Sequence, residues 1–271
     1  MRRALPLVPV MGFYAMFLLA PLAALLVLSL RPFGGSDIAG PGFTLANYAA
    51  VLGDPFYLTL LGGTILLGLA VTLATLVLGY PLAMSITRAG PRLRALLLVV
   101  ALSPMLVNLV VRSYAWMVLL GEKGVLNAWL AAMGAPLLHA GNMLGVGIGL
   151  VHVTLPLMVL SLVGIMARID PALLEAAESL GAGAWRILAR VHVHLALPGI
   201  ATGALLVFCT AISAFVTPRL LGGNRAATIS TVIYDKFTFS MNWPLGAALV
   251  FVLLALTFAV TAAHARAFGE R

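Results

Sequence analysis

Residues 57–87 read YLTLLGGTILLGLAVTLATLVLGYPLAMSIT, and no side chain from Tyr57 to Thr87 carries a charge. A helix needs about 20 consecutive apolar residues to cross the hydrocarbon core of a bilayer. The stretch exceeds that length, and its proline, Pro81, stands near its end. It therefore predicts a membrane-spanning helix, and the rest of the chain can be divided by the same criterion.

The composition of the whole chain agrees with this stretch. Of 271 residues, 62% are hydrophobic and 9% are charged, and the mean hydropathy is +1.11. Soluble domains carry about 25% charged residues, so this chain has too few charges to build a water-exposed surface. The single cysteine, Cys209, excludes an internal disulfide. The predicted fold class is an all-α polytopic membrane protein.

Five further crossings are predicted by length and apolar character, which makes six in total. They cover about residues 5–30, 95–120, 142–167, 195–218 and 244–263. The charge-free region between residues 125 and 167 is too long for one crossing and too short for two. Its Gly134-Ala135-Pro136 break predicts a short interfacial helix ahead of the fourth crossing.

The N-terminal span admits two interpretations. Arg2 and Arg3 followed by an apolar run are typical of a signal peptide. However, the charge-free run from Ala4 to Leu30 is longer than the apolar region of such a peptide, and no small-residue cleavage site ends it. We therefore expect a retained helix.

The basic residues predict the orientation of the chain. Six crossings place both termini on one side, and that side holds ten of the 16 basic residues: Arg2, Arg3, Arg88, Arg92, Arg94, Arg168, Arg186, Arg190, Arg266 and Arg271. By the positive-inside rule the termini are cytoplasmic. The same distribution explains the net charge of +8 without nucleic acid, because no basic helix or aromatic-interleaved patch is present.

A charged, amphipathic segment between the fourth and fifth crossings, residues 168–190, is the most informative part of the chain. Residues 169–181 read IDPALLEAAESLG. Asp170 is suited to capping a helix whose first residue is Pro171, and Gly181 is suited to ending it in a left-handed conformation.

The two faces of this predicted helix differ. Leu173, Ala177 and Leu180 fall on one face, whereas Glu175 and Glu178 fall on another. The pattern alone leaves two interpretations open: a rigid knob that another protein pushes, or a helix that lies on the membrane surface without a partner.

A resemblance to a known family favours the first interpretation. Glu175-Ala176-Ala177, three residues, Gly181 and nine further residues before Val191 resemble the E-A-A-x3-G-x9-I-x-L-P loop of ABC importer permeases. Val191 and Val193 replace the isoleucine and leucine of that pattern, His194 stands in place of its proline, and Pro198-Gly199 follows. In that family the loop forms a coupling helix that docks into a groove of an ATPase subunit.

Three other segments resemble the spermidine/putrescine subfamily of these permeases. They are NLVVRSYAWMVLLGEKGVLN from Asn108 to Asn127, FVTPRLLGG from Phe215 to Gly223, and NWPLG from Asn242 to Gly246. The resemblance implies a type I permease fold in a bacterial inner membrane. It also implies the partners: two ATP-binding cassette subunits, a second permease subunit and a periplasmic or extracellular solute-binding protein.

The expected site residues form two groups. The resemblance implies that ATPase coupling rests on Asp170, Pro171, Leu173, Glu175, Ala176, Ala177, Leu180 and Gly181. The candidates for the substrate path are Asn108, Arg112, Tyr114, Trp116, Phe215 and Asp235. Arg112 is the charge closest to a membrane interior, and it either lines the outer mouth of the path or reaches the headgroups beside Tyr114 and Trp116.

No cofactor site is predicted in the chain. It contains no G-x-x-x-x-G-K-[S/T] loop, so ATP and Mg²⁺ are expected on the partner ATPase. His192 and His194 are expected to be loop residues without a role, on different faces. His139, His152 and His264 are isolated and are expected to pack in the core or at an interface.

The nature of the cargo stays open at this point. A polyamine is favoured by carboxylates and aromatic faces, yet outside the cytoplasmic side the only acids are Asp37, Asp54, Glu122 and Asp235, all expected near outer loops. The family also takes opine-like and phosphonate-like solutes. We expect a small solute that is polyamine, polyamine-like or opine-like.

The alternative class is an ATP-independent secondary transporter or a membrane-embedded enzyme. Either would need intramembrane acids or a catalytic cluster, and the sequence shows neither. The expected organisation is an N-terminal helix and loop in residues 1–55, a permease domain in 56–265 with its coupling loop at 168–198, and a cytoplasmic tail in 266–271.

Overall fold

The computed structural model describes residues 12–35, 37–121, 123–134, 141–223 and 226–268. Its helices, numbered in chain order, are α1 (Gly12–Ser29), α2 (Ala46–Gly53), α3 (Pro55–Arg88), α4 (Pro91–Leu106), α5 (Leu109–Leu119), α6 (Val125–Ala132), α7 (Met143–Met166), α8 (Pro171–Ser179), α9 (Ala184–Ser213), α10 (Val216–Leu221), α11 (Ile229–Thr238) and α12 (Trp243–Phe268). The described residues contain no β-strand, and one isolated bridge joins Gly34 to Asp37. Residues 5–11 of the first expected span, Glu122, Ala135-Pro136, His139 and the tail from 269 lie outside the described residues.

Five helices are long and apolar enough to cross a membrane, namely α1, α3, α7, α9 and α12. The number becomes six if α4 and α5 together make one crossing. The short helix expected ahead of the fourth crossing is α6, and the fourth crossing itself is α7. The fifth crossing was expected over about residues 195–218. The corresponding helix, α9, starts earlier, at Ala184, and ends earlier, at Ser213.

The third expected crossing, residues 95–120, is not one continuous helix. α4 and α5 meet at an angle of 97°, because Val107 and Asn108 both have extended backbones. The Asn108 side chain accepts a hydrogen bond from the N–H of Val110 at 2.9 Å and so starts α5 as a separate, capped helix. The sequence did not predict this break, because the residues on both sides of it are apolar and indicated one continuous crossing.

The described residues divide into two compact units. The first contains the described residues up to Leu61 together with Ile229–Leu256. Its core holds Val51, Tyr57, Ile229 and Leu249, and the Asn47 amide donates to the carbonyls of Ser29 and Arg31 at 2.9 and 2.8 Å.

The second unit contains Gly62–Thr228 and the described residues from Thr257. Within it α7 is the central helix: α9 packs along its length, and α4 and α10 also pack against it. Glycines bring α9 and α7 together. A Cβ at Gly199 would lie 3.0 Å from the Ser161 carbonyl oxygen, and one at Gly203 would lie 2.7 Å from Met158 Sδ. At these two positions the small residues serve packing within the subunit.

Candidate functional site

The predicted amphipathic helix exists as α8, with the expected ends. Asp170 Oδ1 accepts a hydrogen bond from the N–H of Ala172 at 2.9 Å, and Pro171 is the first helical residue. At the other end Gly181 has φ +78°, and the N–H of Ala182 bonds the Ala177 carbonyl at 3.1 Å. This is the glycine-ended C-terminus that the sequence predicted.

α8 is largely exposed: none of its residues is buried, and only Leu174 and Ala177 are partly covered. Leu173 is 49% exposed and Leu180, just after its last turn, is 88% exposed. Trp185, in the first turn of α9, is 79% exposed. A cluster of exposed apolar side chains next to exposed Glu175 and Glu178 is typical of a surface that binds another protein. Trp185 was not predicted as a site residue.

The chain that leaves α8 enters the membrane helix α9 directly. α8 packs against the first turn of α9. Four residues further on, α9 contains a π-turn from Leu188 to His192, closed by the bond from the Val193 N–H to the Leu188 carbonyl. α8 thus leads directly into the fifth crossing, which contains a local irregularity near its start.

The expected loop position of His192 was wrong. The residue was expected in a loop without a role, but it lies in α9 with 5% of its surface exposed. Its Nδ1 is 2.7 Å from the phenol oxygen of Tyr80 in α3, a hydrogen bond, and the two rings meet edge to face. His194 is also helical but exposed, so the two histidines do face different ways, as expected.

A cavity of about 820 Å³ lies beside α3 and α7 in the second unit. Apolar residues form most of its lining: Gly63, Leu66, Leu67, Ala70, Val71, Ala74, Leu78, Met143, Leu144, Gly147, Ile148, Val151 and Leu155. The two remaining lining residues are Trp116 of α5 and His152 of α7. The volume of the cavity is within the range of ligand-binding clefts, and the cavity is open on one side, where Leu66 and Leu78 are exposed.

The Trp116 indole N–H donates a hydrogen bond to His152 Nδ1 at 3.0 Å. Because indole only donates, Nδ1 is the accepting nitrogen, and the neutral imidazole carries its proton on Nε2. The other ring nitrogen of His152, Nε2, is therefore a hydrogen-bond donor. His152 was expected to be an isolated packing residue, and only its partner Trp116 was predicted for the substrate path.

Arg112 lies in α5, next to the bend between α4 and α5. Its side chain is 8% exposed, and its Nη1 donates to the carbonyl of Pro104 across the α4–α5 bend. Its Nε is buried without a hydrogen-bond partner among the described residues. The guanidinium therefore fastens the bend, and it neither reaches the surface nor lines the cavity.

The other candidates for the substrate path do not line this cavity. Asn108 caps α5, Tyr114 is 49% exposed on α5, and Phe215 precedes α10. Asp235 belongs to α11 of the first unit. Of the six residues predicted for the substrate path, Trp116 is the one that lines the cavity.

Comparison with known proteins adds to this geometry. Residues 75–267 match the family described as the binding-protein-dependent transport system inner membrane component. The chain is 35% identical over 246 residues to the spermidine/putrescine transport system permease protein PotB of Haemophilus influenzae, with 89% of this chain and 86% of that protein covered. It is 34% identical over 245 residues to PotB of Escherichia coli K12, with 89% of each covered.

The fold has a counterpart among solved structures. A chain of the bacterial alginate ABC transporter, determined in complex with its alginate pentasaccharide-bound periplasmic protein, superposes with a TM-score of 0.78 at 16% identity. The match covers 96% of this chain and 91% of that one. The predicted all-α, multi-pass permease fold is thereby confirmed.

Proposed function

The chain belongs to the family of inner membrane components of binding-protein-dependent transport systems, and on that premise we propose that α8 is the element through which a separate ATPase drives it. The chain is a multi-pass permease subunit of an ABC importer and not an enzyme. As a binding-protein-dependent permease it works with an ATPase and a periplasmic binding protein.

One observation carries the coupling role. α8 has fixed ends, at Asp170 and Gly181, and an apolar surface at Leu173 and Leu180 that is about half or more exposed in the described chain. A helix of nine residues is marginal on its own, so the caps and the packing against α9 hold its shape. A short, rigid, uncovered helix is suited to fit a groove on a partner.

The assembly that follows has two ATPase subunits and a second homologous permease subunit. ATP binding closes the ATPases, α8 moves with them, and the crossings tilt to open the cavity toward the docked binding protein. Hydrolysis resets the cycle. ATP and Mg²⁺ are held by the ATPases, since this chain has no phosphate-binding loop.

The proposed cargo is a small polyamine, polyamine-like or opine-like solute. The names of the PotB relatives support the polyamine class. The cavity lining offers aromatic and aliphatic faces and the donor of His152, which supports the opine-like members of this class, because a protonated polyamine brings only donors. No acidic residue lines it.

The proposed orientation has both termini in the cytoplasm. The positive-inside rule supports it, because Arg88, Arg92 and Arg94 flank the short α3–α4 connection and Arg168, Arg186 and Arg190 flank α8. We keep residues 56–265 as the proposed permease domain, with residues 1–55 as an N-terminal helix and loop and residues 266–271 as a tail.

Reconstitution tests the function as a whole. The permease is expressed with the ATPase and second permease from its own organism, purified, and placed in liposomes with the binding protein on the outer side. Uptake of labelled putrescine, spermidine and an opine is compared with and without ATP inside. Uptake of any of these solutes that requires ATP supports the proposed importer function. Uptake at the same rate with and without ATP contradicts it.

A further inference from the structure

Tyr80 and His192 join two membrane helices at one partly buried point. The phenol oxygen of Tyr80 in α3 is 2.7 Å from Nδ1 of His192 in α9, and their ring centroids are 5.9 Å apart with the planes at 78°. His192 is 5% exposed. A polar pair with one buried member favours one relative position of its two helices, because separating the groups leaves the buried imidazole unsatisfied.

Each of these residues adjoins an irregular point of its helix. His192 is the last residue of the π-turn that begins at Leu188, and single π-turns interrupt the regular ladder and occur often at functional sites. Tyr80 directly precedes Pro81, which has no N–H to give to the carbonyl of Val77. Both helices are therefore easiest to bend where the hydrogen bond holds them together.

The pair also lies between the two parts of the proposed site. On one side, α8 packs against the first turn of α9, and the π-turn follows it. On the other side, α3 contributes seven residues to the cavity wall, from Gly63 to Leu78, and Tyr80 comes two residues later. α9 also packs directly along α7, which lines the cavity as well, and the Tyr80–His192 pair is the hydrogen-bonded link from α9 to α3.

We propose that the Tyr80–His192 hydrogen bond is the joint that carries movement of the coupling helix from α9 to α3 and so to the cavity. Tyr80 and His192 are positioning residues: they touch neither the ATPase nor the cargo. This inference rests on the proposed function, because it takes α8 as the point where force enters.

Removing the bond while keeping both rings tests the joint. Tyr80→Phe and His192→Phe each delete one partner, and the double variant deletes both. All are measured in the complete transporter in liposomes, with three readouts: ATPase retained per permease, ATP hydrolysed, and solute taken up. Tyr48→Phe is the matched control, since its hydroxyl makes an equally short bond, 2.7 Å to Ser29 Oγ, in the other unit.

We expect each single variant to retain the ATPase at the wild-type level and to lower uptake per ATP hydrolysed about five-fold, the scale of one buried hydrogen bond. The double variant should lose no more than either single one, because the two residues act as a unit. Tyr48→Phe should keep the wild-type ratio.

Three results would overturn the inference: a wild-type ratio in Tyr80→Phe, additive losses in the double variant, or poor accumulation of both single variants in the membrane, which would make the pair a stability element. Loss of ATPase retention is a separate readout that concerns α8. Failure of the joint is therefore distinguishable from failure of the proposed coupling role.

Discussion

Trp116 donates its indole N–H to Nδ1 of His152 across 3.0 Å, and so connects α5 with α7 on the wall of the cavity. Because this bond selects the accepting nitrogen, it also determines that the neutral imidazole keeps a donor at Nε2. The contact thus determines which ring nitrogen of His152, the histidine in the cavity lining, donates and which accepts.

Trp116→Phe should change the affinity for cargo more than the assembly of the transporter. The variant keeps an aromatic face but removes the donor, so His152 is no longer held in one tautomer. We expect the apparent KM for uptake to shift about five-fold, the equivalent of one hydrogen bond, with normal ATPase retention. Trp129→Phe is the control, because Trp129 is 72% exposed on α6. An unchanged KM in Trp116→Phe would make the pair a packing contact only.

Arg112→Ala should weaken the α4–α5 bend. The partly buried Pro104 carbonyl loses its donor, and an acceptor left unsatisfied in this way costs about 1 kcal/mol. We expect a lower thermal midpoint for the purified subunit together with reduced uptake. Arg92→Ala, at an exposed position of α4, should leave the midpoint unchanged. If Arg112→Ala melted like the wild type, the guanidinium would not be what holds the bend.

Gly199→Ala should destabilise the contact of α9 with α7. The new methyl group meets a backbone oxygen, the Ser161 carbonyl, at 3.0 Å, and backbone cannot move aside as a flexible side chain can. Overpacking of this kind costs about 1–3 kcal/mol. Gly164→Ala in α7 is the matched control, since a Cβ there meets nothing within 4 Å. Equal melting of the two variants in detergent would contradict the packing described for these helices.

The proposed topology predicts which loops an impermeant thiol reagent reaches. In a Cys209→Ala background, a cysteine in place of exposed Asp37 should be labelled in intact cells or spheroplasts, whereas one in place of exposed Arg92 should react only after the membrane is opened. Labelling at position 92 from outside would reverse the proposed orientation.

Local signals made α8 and most crossings predictable from the sequence. The cap at Asp170, the proline after it and the glycine at 181 act within a few residues of one another, and span length follows directly from bilayer thickness. The break at Asn108 was missed although it carries a local signal, an N-capping residue, because the apolar residues around it read as a continuous span.

The contacts that build the site could not be predicted in the same way. Trp116 and His152 are 36 positions apart, and Tyr80 and His192 are 112 apart. The first pair joins α5 to α7 and the second joins α3 to α9, so each contact depends on the packing of two different helices and follows from no spacing rule within one helix. The burial of Arg112 depends likewise on a bend that was not foreseen.

The contact surface of α8 carries the central claim, and Ala177→Asp tests it without disturbing the membrane helices. Ala177 lies on the same face of α8 as Leu173 and Leu180. Burying an unpaired carboxylate in an apolar contact costs on the order of several kcal/mol of binding free energy. Ala172→Asp is the matched control, because position 172 lies about 140° around the helix from position 177 and is exposed.

The decisive measurement is the amount of ATPase that copurifies with each permease, taken together with solute uptake in the same membranes. We predict that Ala177→Asp accumulates normally, loses at least about ten-fold of its copurified ATPase, as a cost above 1.4 kcal/mol requires, and no longer supports uptake, while Ala172→Asp behaves as the wild type. Wild-type retention and uptake in Ala177→Asp would contradict the role of α8 as the coupling helix.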